Sequence, residues 1–184
     1  MPPTDFIKTI MQTTTSLTNN DLAFIAMCNE YCSAAENAMQ SDKTDFVANM
    51  VRLLPRIYIS ANDLKTDADL TEEAYIASAL DEDSYESVRR AVETVMGASD
   101  TYLEVFEEDM KYSDTPIAAS VAEGIADIFQ VLYNFVETIR EAPTDTIAAA
   151  LAAVKEDFDN YWSRVLCNVM RPLNAAHHNP DEDI

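Results

Sequence analysis

The residues of this chain that could do polar chemistry are mostly carboxylates, and their spacing decides what they can do. Glu123, Asp127, Gln130, Asn134 and Glu137 recur every three or four positions, with Ser120 leading them, so they fall on one stripe of a helix. One reading is a solvated polar face. The sharper one is a partly buried seam in which Asp127 or Glu123 meets Arg52 or Arg56, two arginines at i and i+4 around Pro55 that share a face of another helix. A buried carboxylate needs such a partner, because an unpaired buried charge is strongly destabilising. Should that seam open to a cleft, Arg52, Arg56, Glu123 and Asp127 form the candidate ligand site, with a structural ion pair favoured over a catalytic one.

Other constellations are weaker. The histidines are His177 and His178, next to a terminal tail, with Asn174 and Ala175 three residues before them. The Glu-x-x-His pattern of di-iron bundles is therefore missing. Cys28-x-x-x-Cys32 puts two thiols on one helical face, but zinc needs two further ligands, and buried core thiols are the better reading. All-α nucleotide pyrophosphatases bind Mg²⁺ through Glu-Glu-x-x-Glu. Here Glu72-Glu73 is followed by Ile76, and Glu107-Glu108 by Lys111, so only the second-half pattern, Glu156-x-x-Asp159, is matched. No Gly-x-Ser-x-Gly elbow exists. No metal and no cofactor is expected.

The chain has 184 residues, with 33 Asp+Glu against 12 Lys+Arg and a net charge of -21. This balance argues against direct nucleic-acid binding, which draws on clustered Lys and Arg. Between Asp63 and Asp114 stand 16 acids and 4 bases, so more than half of the net charge sits there. That block is either a solvated surface or a docking face for a basic protein, with Asp81, Glu82, Asp83, Glu107, Glu108 and Asp109 as its candidate residues. Two glycines, Gly97 and Gly124, are too few for phosphate-cradling loops or hairpin-rich folds. Three cysteines, no apolar run long enough to span a bilayer and no secretory pattern lead to an expectation of a cytoplasmic protein.

These side chains must be positioned by helices. Residues 1–20 read as an N-terminal arm, 21–178 as a single all-α domain containing the acidic segment 63–114, and 179–184 as a tail. Leu22, Ile25, Cys28, Cys32, Ala35 and Met39 predict a first helix capped by Asn19 or Asn20. Phe46, Met50, Leu53, Leu54, Ile57, Ala61 and Leu64 predict a second, starting near Thr44 or Asp45, with Pro55 kinking it or freeing one carbonyl. Thr71 caps a short helix to about Leu80, and Ser84 starts another that ends at Gly97. Residues 98–113 read as loop. Thr115-Pro116 opens the most apolar helix, with Ile117, Val121, Ile125, Ile128, Leu132, Phe135 and Ile139 inward, which makes it central. The last helical region begins after Pro143, buries Ile147, Leu151, Val154, Phe158, Tyr161, Val165, Val169 and Leu173, and breaks near Pro172. The sum is a bundle of about six or seven helices with no strand.

Asn29-Glu30-Tyr31-Cys32, Leu53-Leu54-Pro55-Arg56-Ile57-Tyr58-Ile59-Ser60-Ala61, Tyr102-Leu103-Glu104-Val105-Phe106, Ser113-Asp114-Thr115-Pro116, Ala126-Asp127-Ile128-Phe129 and Tyr161-Trp162 with a closing Ala-His form a set of landmarks. Together they resemble a bacterial family of domains of unknown function, the one numbered 5063, over about Asp21 to His178. The chain departs from that pattern at Phe129 and Val131, where the resemblance suggests Tyr and an acid. The resemblance implies an all-α fold and a bacterial cytosolic setting, and it carries over no catalytic residue. The leading functional expectation is a non-enzymatic protein–protein interaction module, monomer or weak homodimer, that offers an acidic face to a basic protein. The alternative is a metal-dependent phosphohydrolase or small-ligand-binding protein using Glu123, Asp127 and Glu156.

Overall fold

Five helical rods, each opened by a side chain that accepts from the first-turn N–H groups or by a proline, make up most of the computed structural model, which describes residues 17–66, 75–104 and 115–179. Helix α1 (Asn19–Glu36) begins with a capping box: Thr18 Oγ1 accepts from the Asp21 N–H at 3.1 Å while the Asp21 carboxylate accepts from the Thr18 N–H at 2.7 Å. Asp42 caps α2 (Lys43–Asn62), and Asp81 caps α3 (Glu82–Met96). Gly97 ends α3 at φ 57, a conformation that favours glycine. A 3₁₀ turn (Gly97–Asp100) leads into β1 (Thr101–Glu104), which pairs antiparallel with β2 (Ile117–Ser120) in a two-stranded ribbon. Helix α4 (Val121–Ile139) follows directly, with Ser120 as its cap. Helix α5 (Thr144–Asp157) runs through a π turn (Phe158–Trp162) into α6 (Ser163–His178), so these form one rod.

The all-α class is as the sequence predicts, with three corrections of detail. The count is five rods among the described residues, because α5 and α6 are continuous. The ribbon replaces part of the expected loop and the expected first turn of α4. Thr115-Pro116 therefore does not start that helix, since residues 117–120 find a ladder partner in 101–104 before Ser120 caps it. Residues 75–80 are irregular rather than helical, while Thr71, the arm up to residue 16, residues 105–114 and the tail from residue 180 lie outside the described residues.

Helix α4 is central. It packs on α1, α3, α5 and α6, while α2 packs on α1 and α6. All of its predicted apolar stripe is buried except Ile117, which stands exposed on β2. Gly124 sits where α6 comes closest, and a Cβ there would collide with Val169 Cγ1. The inward face of α1 is Phe24, Met27, Cys28, Tyr31, Cys32 and Ala35, rotated from the predicted one, and Leu22 and Met39 are exposed. Tyr31 wins an inward place because its hydroxyl donates to the Ile125 carbonyl at 2.9 Å, so a large ring is buried without an orphaned polar atom.

The π turn has a similar effect on the last rod. Its wider turn re-phases the apolar face, so Trp162 and Leu166 point inward where a straight α-helical reading selects Tyr161 and Val165. Trp162 Nε1–H donates to the Val154 carbonyl at 3.2 Å, and its ring packs edge-on against Phe158 at 4.5 Å. Pro172 does not break α6. It is buried inside the helix, which continues to His178.

Candidate functional site

The polar stripe of α4 meets different neighbours along its length. Toward its C-terminal end, Asn134 Oδ1 accepts from the Ala79 and Leu80 N–H groups at 2.9 and 2.8 Å, and Thr138 Oγ1 accepts from the Ala77 N–H at 2.9 Å. Thr138 in turn donates to the Asn134 carbonyl at 2.7 Å. The irregular strap 75–80 cannot satisfy these N–H groups by secondary structure, so side chains of α4 do it. Glu137 pairs with Arg140 on the same helix.

Toward the N-terminal end the stripe opens. Asp127 is half-buried, and each carboxylate oxygen accepts one phenol: Tyr85 Oη–H to Oδ1 at 2.7 Å and Tyr161 Oη–H to Oδ2 at 3.1 Å. Tyr85 comes from the second turn of α3, and Tyr161 is turned outward by the π turn. Burial, reinforced by the hydrogen bond to Asp127, holds the Tyr85 phenol well above the ordinary tyrosine range. Burial and the Asp127 charge push Tyr161 up to about 12. Both phenols therefore remain donors near neutral pH, and neither can serve there as a base.

Asp127 forms part of the wall of two cavities. One, of about 230 Å³, is lined by the ribbon, α4 and α6, including Tyr102, Glu104, Glu123, Tyr161, Arg164 and Asn168. The other, of about 320 Å³, is lined by Glu82, Tyr85, Glu86 and Gln130. A larger cavity of about 610 Å³ lies between β1 and α6, beside Leu103 and Pro172 and away from Asp127.

A buried carboxylate fixes the N-terminal end of α4. Asp100 accepts from Ser120 Oγ–H at 2.8 Å and from the Ala122 N–H at 2.7 Å, while Ser120 Oγ accepts from the Glu123 N–H at 3.1 Å. The negative group thus meets the positive end of the helix, which offsets the cost of burying it. The ribbon is tied to α4 at this point.

The fold brings Glu123 and Asp127 to one groove but puts Arg52 and Arg56 elsewhere. Both arginines are exposed on α2, whose main neighbours are α1 and α6, and the hydrogen-bond partners of Asp127 are the two phenols. Asp81, Glu82 and Asp83 are exposed at the start of α3, where Asp81 accepts from the Ser84 N–H at 2.7 Å, which lowers its pKa. Glu86 is held by Arg89 and Arg90 at 3.1 and 3.4 Å. Glu107, Glu108 and Asp109 lie outside the described residues. Glu156 is exposed and borders neither cavity at Asp127, and Asp159 is paired with Lys155. Among the described residues no three His, Cys, Asp or Glu side chains gather as a metal would require. Cys28 and Cys32 are buried, and burial raises both thiol pKa values, that of Cys32 to about 12.

Sequence reasoning passed over Tyr85, Tyr161 and Asp100. A tyrosine within the acidic first turns of α3 was the available signal for Tyr85. For Tyr161 the π turn left none.

No helix among the described residues is long and apolar enough to cross a membrane. No curated protein matches the chain. The crystal structure of protein BF1032 from Bacteroides fragilis is similar, with a TM-score of 0.73 and 25% sequence identity, over 89% of this chain and 93% of that one. A family model matches residues 15–179, and the chain belongs to that family, described as a domain of unknown function, DUF5063.

Proposed function

We propose that the protein is a non-catalytic, cytoplasmic binding module whose acidic groove over α4 receives a basic segment of a partner protein. The observation that carries this reading is Asp127, a carboxylate kept in place by two phenols between two cavities whose walls add Glu82, Glu86, Glu104 and Glu123. Together these carboxylates make the groove acidic. The locked phenol protons suit recognition rather than proton transfer. With a net charge of -21, the rest of the molecule draws cationic partners toward the groove.

Fluorescence anisotropy with an oligolysine peptide tests this. Binding is expected at low salt, weakened at physiological ionic strength, and reduced on Glu82→Gln/Glu86→Gln/Glu123→Gln, about tenfold for each 1.4 kcal/mol of attraction removed. Absence of binding at low salt, or affinity indifferent to the three substitutions, overturns the reading.

A further inference from the structure

The cavity between the ribbon, α4 and α6 carries both signs of charge: Glu104, Glu123 and Asp127 are joined on its wall by Arg164. We propose that this cavity is a receptor for a free basic α-amino acid, with Arg164 taking the α-carboxylate and Asp127 and Glu123 the two cationic groups. The proposal shares Asp127 with the docking groove but needs no protein partner.

Three features select that class. The volume of about 230 Å³ is smaller than the ~300–1,000 Å³ pockets that hold drug-sized ligands, which favours a smaller molecule. Asp127 and Glu123 repel an anion, while a guanidinium on the same wall disfavours a ligand with no negative group. A neutral zwitterion leaves the carboxylate excess unmatched, whereas a basic amino acid presents one carboxylate and two cations. The remaining lining includes two aromatic residues, Tyr102 and Tyr161, a residue type that suits an alkyl stem or a cation. Asp127 keeps capacity for such a ligand. A carboxylate has about four lone-pair sites, and two of them serve the phenols.

The test is isothermal titration of the intact protein with L-lysine, L-arginine, L-leucine, L-glutamate and cadaverine, which is lysine without its carboxylate. Lysine or arginine is expected to bind about tenfold or more tighter than the other three, the equivalent of 1.4 kcal/mol. Arg164→Ala, at an exposed position, is expected to remove the preference for lysine over cadaverine without lowering the melting temperature. Glu123→Gln, also exposed, is expected to weaken both ligands. No saturable heat from either basic amino acid at millimolar concentration overturns the proposal, and so does cadaverine binding equal to lysine in the unaltered protein. Oligolysine binding without amino-acid binding sinks this proposal and spares the docking reading. The reverse result sinks the docking reading alone.

Discussion

Asp127 and Asn134 stand two turns apart on one stripe of α4, and their surroundings differ in kind. Asn134 is consumed by structure: its side-chain oxygen holds two backbone N–H groups of the strap, and Thr138 holds a third. Asp127 is held by side chains alone, two phenols from different elements, and cavities open on both sides of it. A polar stripe with helical spacing is therefore not one object. Where an irregular segment lies across it, the stripe becomes scaffold. Where only side chains meet it, the stripe keeps hydrogen-bonding capacity for something else.

The sharpest way to break this contrast is Asp100→Ala. The open half has a structural carboxylate of its own, and its loss leaves the Ala122 N–H without its acceptor at the start of the central helix. A loss of about 3 kcal/mol in urea unfolding is expected, from the cap and the charge-assisted bonds together. A loss below about 1 kcal/mol would mean that the ribbon does not anchor α4. Asn134→Ala comes next, at about 2 kcal/mol, since it orphans two N–H donors at a partly exposed site. Hydrogen exchange should quicken at Ala79 and Leu80 while the Asp127 end stays protected. Equal quickening at both ends would erase the distinction between scaffold and open groove.

Asp127→Asn is expected to cost stability by less than about 1 kcal/mol, because the site is half-open and one phenol keeps an acceptor. Oligolysine binding should nevertheless weaken. A variant that unfolds but binds normally would reverse the roles assigned to the two halves. A further test lies in alkali. The ordinary tyrosine pKa is about 10, and Tyr161 is raised to about 12 in the fold. Its contribution is thus fully present below pH ~10, where both states are protonated. As pH rises from ~10 toward ~12 the unfolded chain loses the proton first, so stability falls with pH across that window. Absorbance at 295 nm should show one late-titrating tyrosine fewer in Tyr161→Phe, with Tyr85 still titrating late, and a shallower loss of stability above pH 10.

Much of this fold is legible in the sequence because burial follows period. The apolar stripe from Val121 to Ile139 reads as the inner face of a central helix, though one opened too early at Thr115-Pro116, and Gly97 reads as a terminator, each from local rules. What was not legible depends on partners distant in the chain. The ribbon needs residues 101–104 to find 117–120, and neither segment alternates polarity cleanly. The seam at Asp127 is legible as polar but pairs on paper with arginines, because charge pairing is visible in a sequence whereas the approach of two phenols is a product of packing. Tyr161 reads as core in the sequence for the same reason: its direction depends on one turn of backbone.

That turn also sets how the chain can change over evolutionary time. The exposed link from Arg140 to Pro143 can gain or lose a residue with little consequence beyond loop closure. Residues Phe158–Trp162 cannot. Deleting one would restore an ordinary α-helical turn and rotate α6 by about 100° against α5, carrying Leu166, Val169 and Leu173 off the core and Tyr161 away from Asp127 together. The spacing from Val154 to Leu166 is accordingly a length constraint shared by folding and binding, and an insertion or deletion there should be absent from any relative that keeps both.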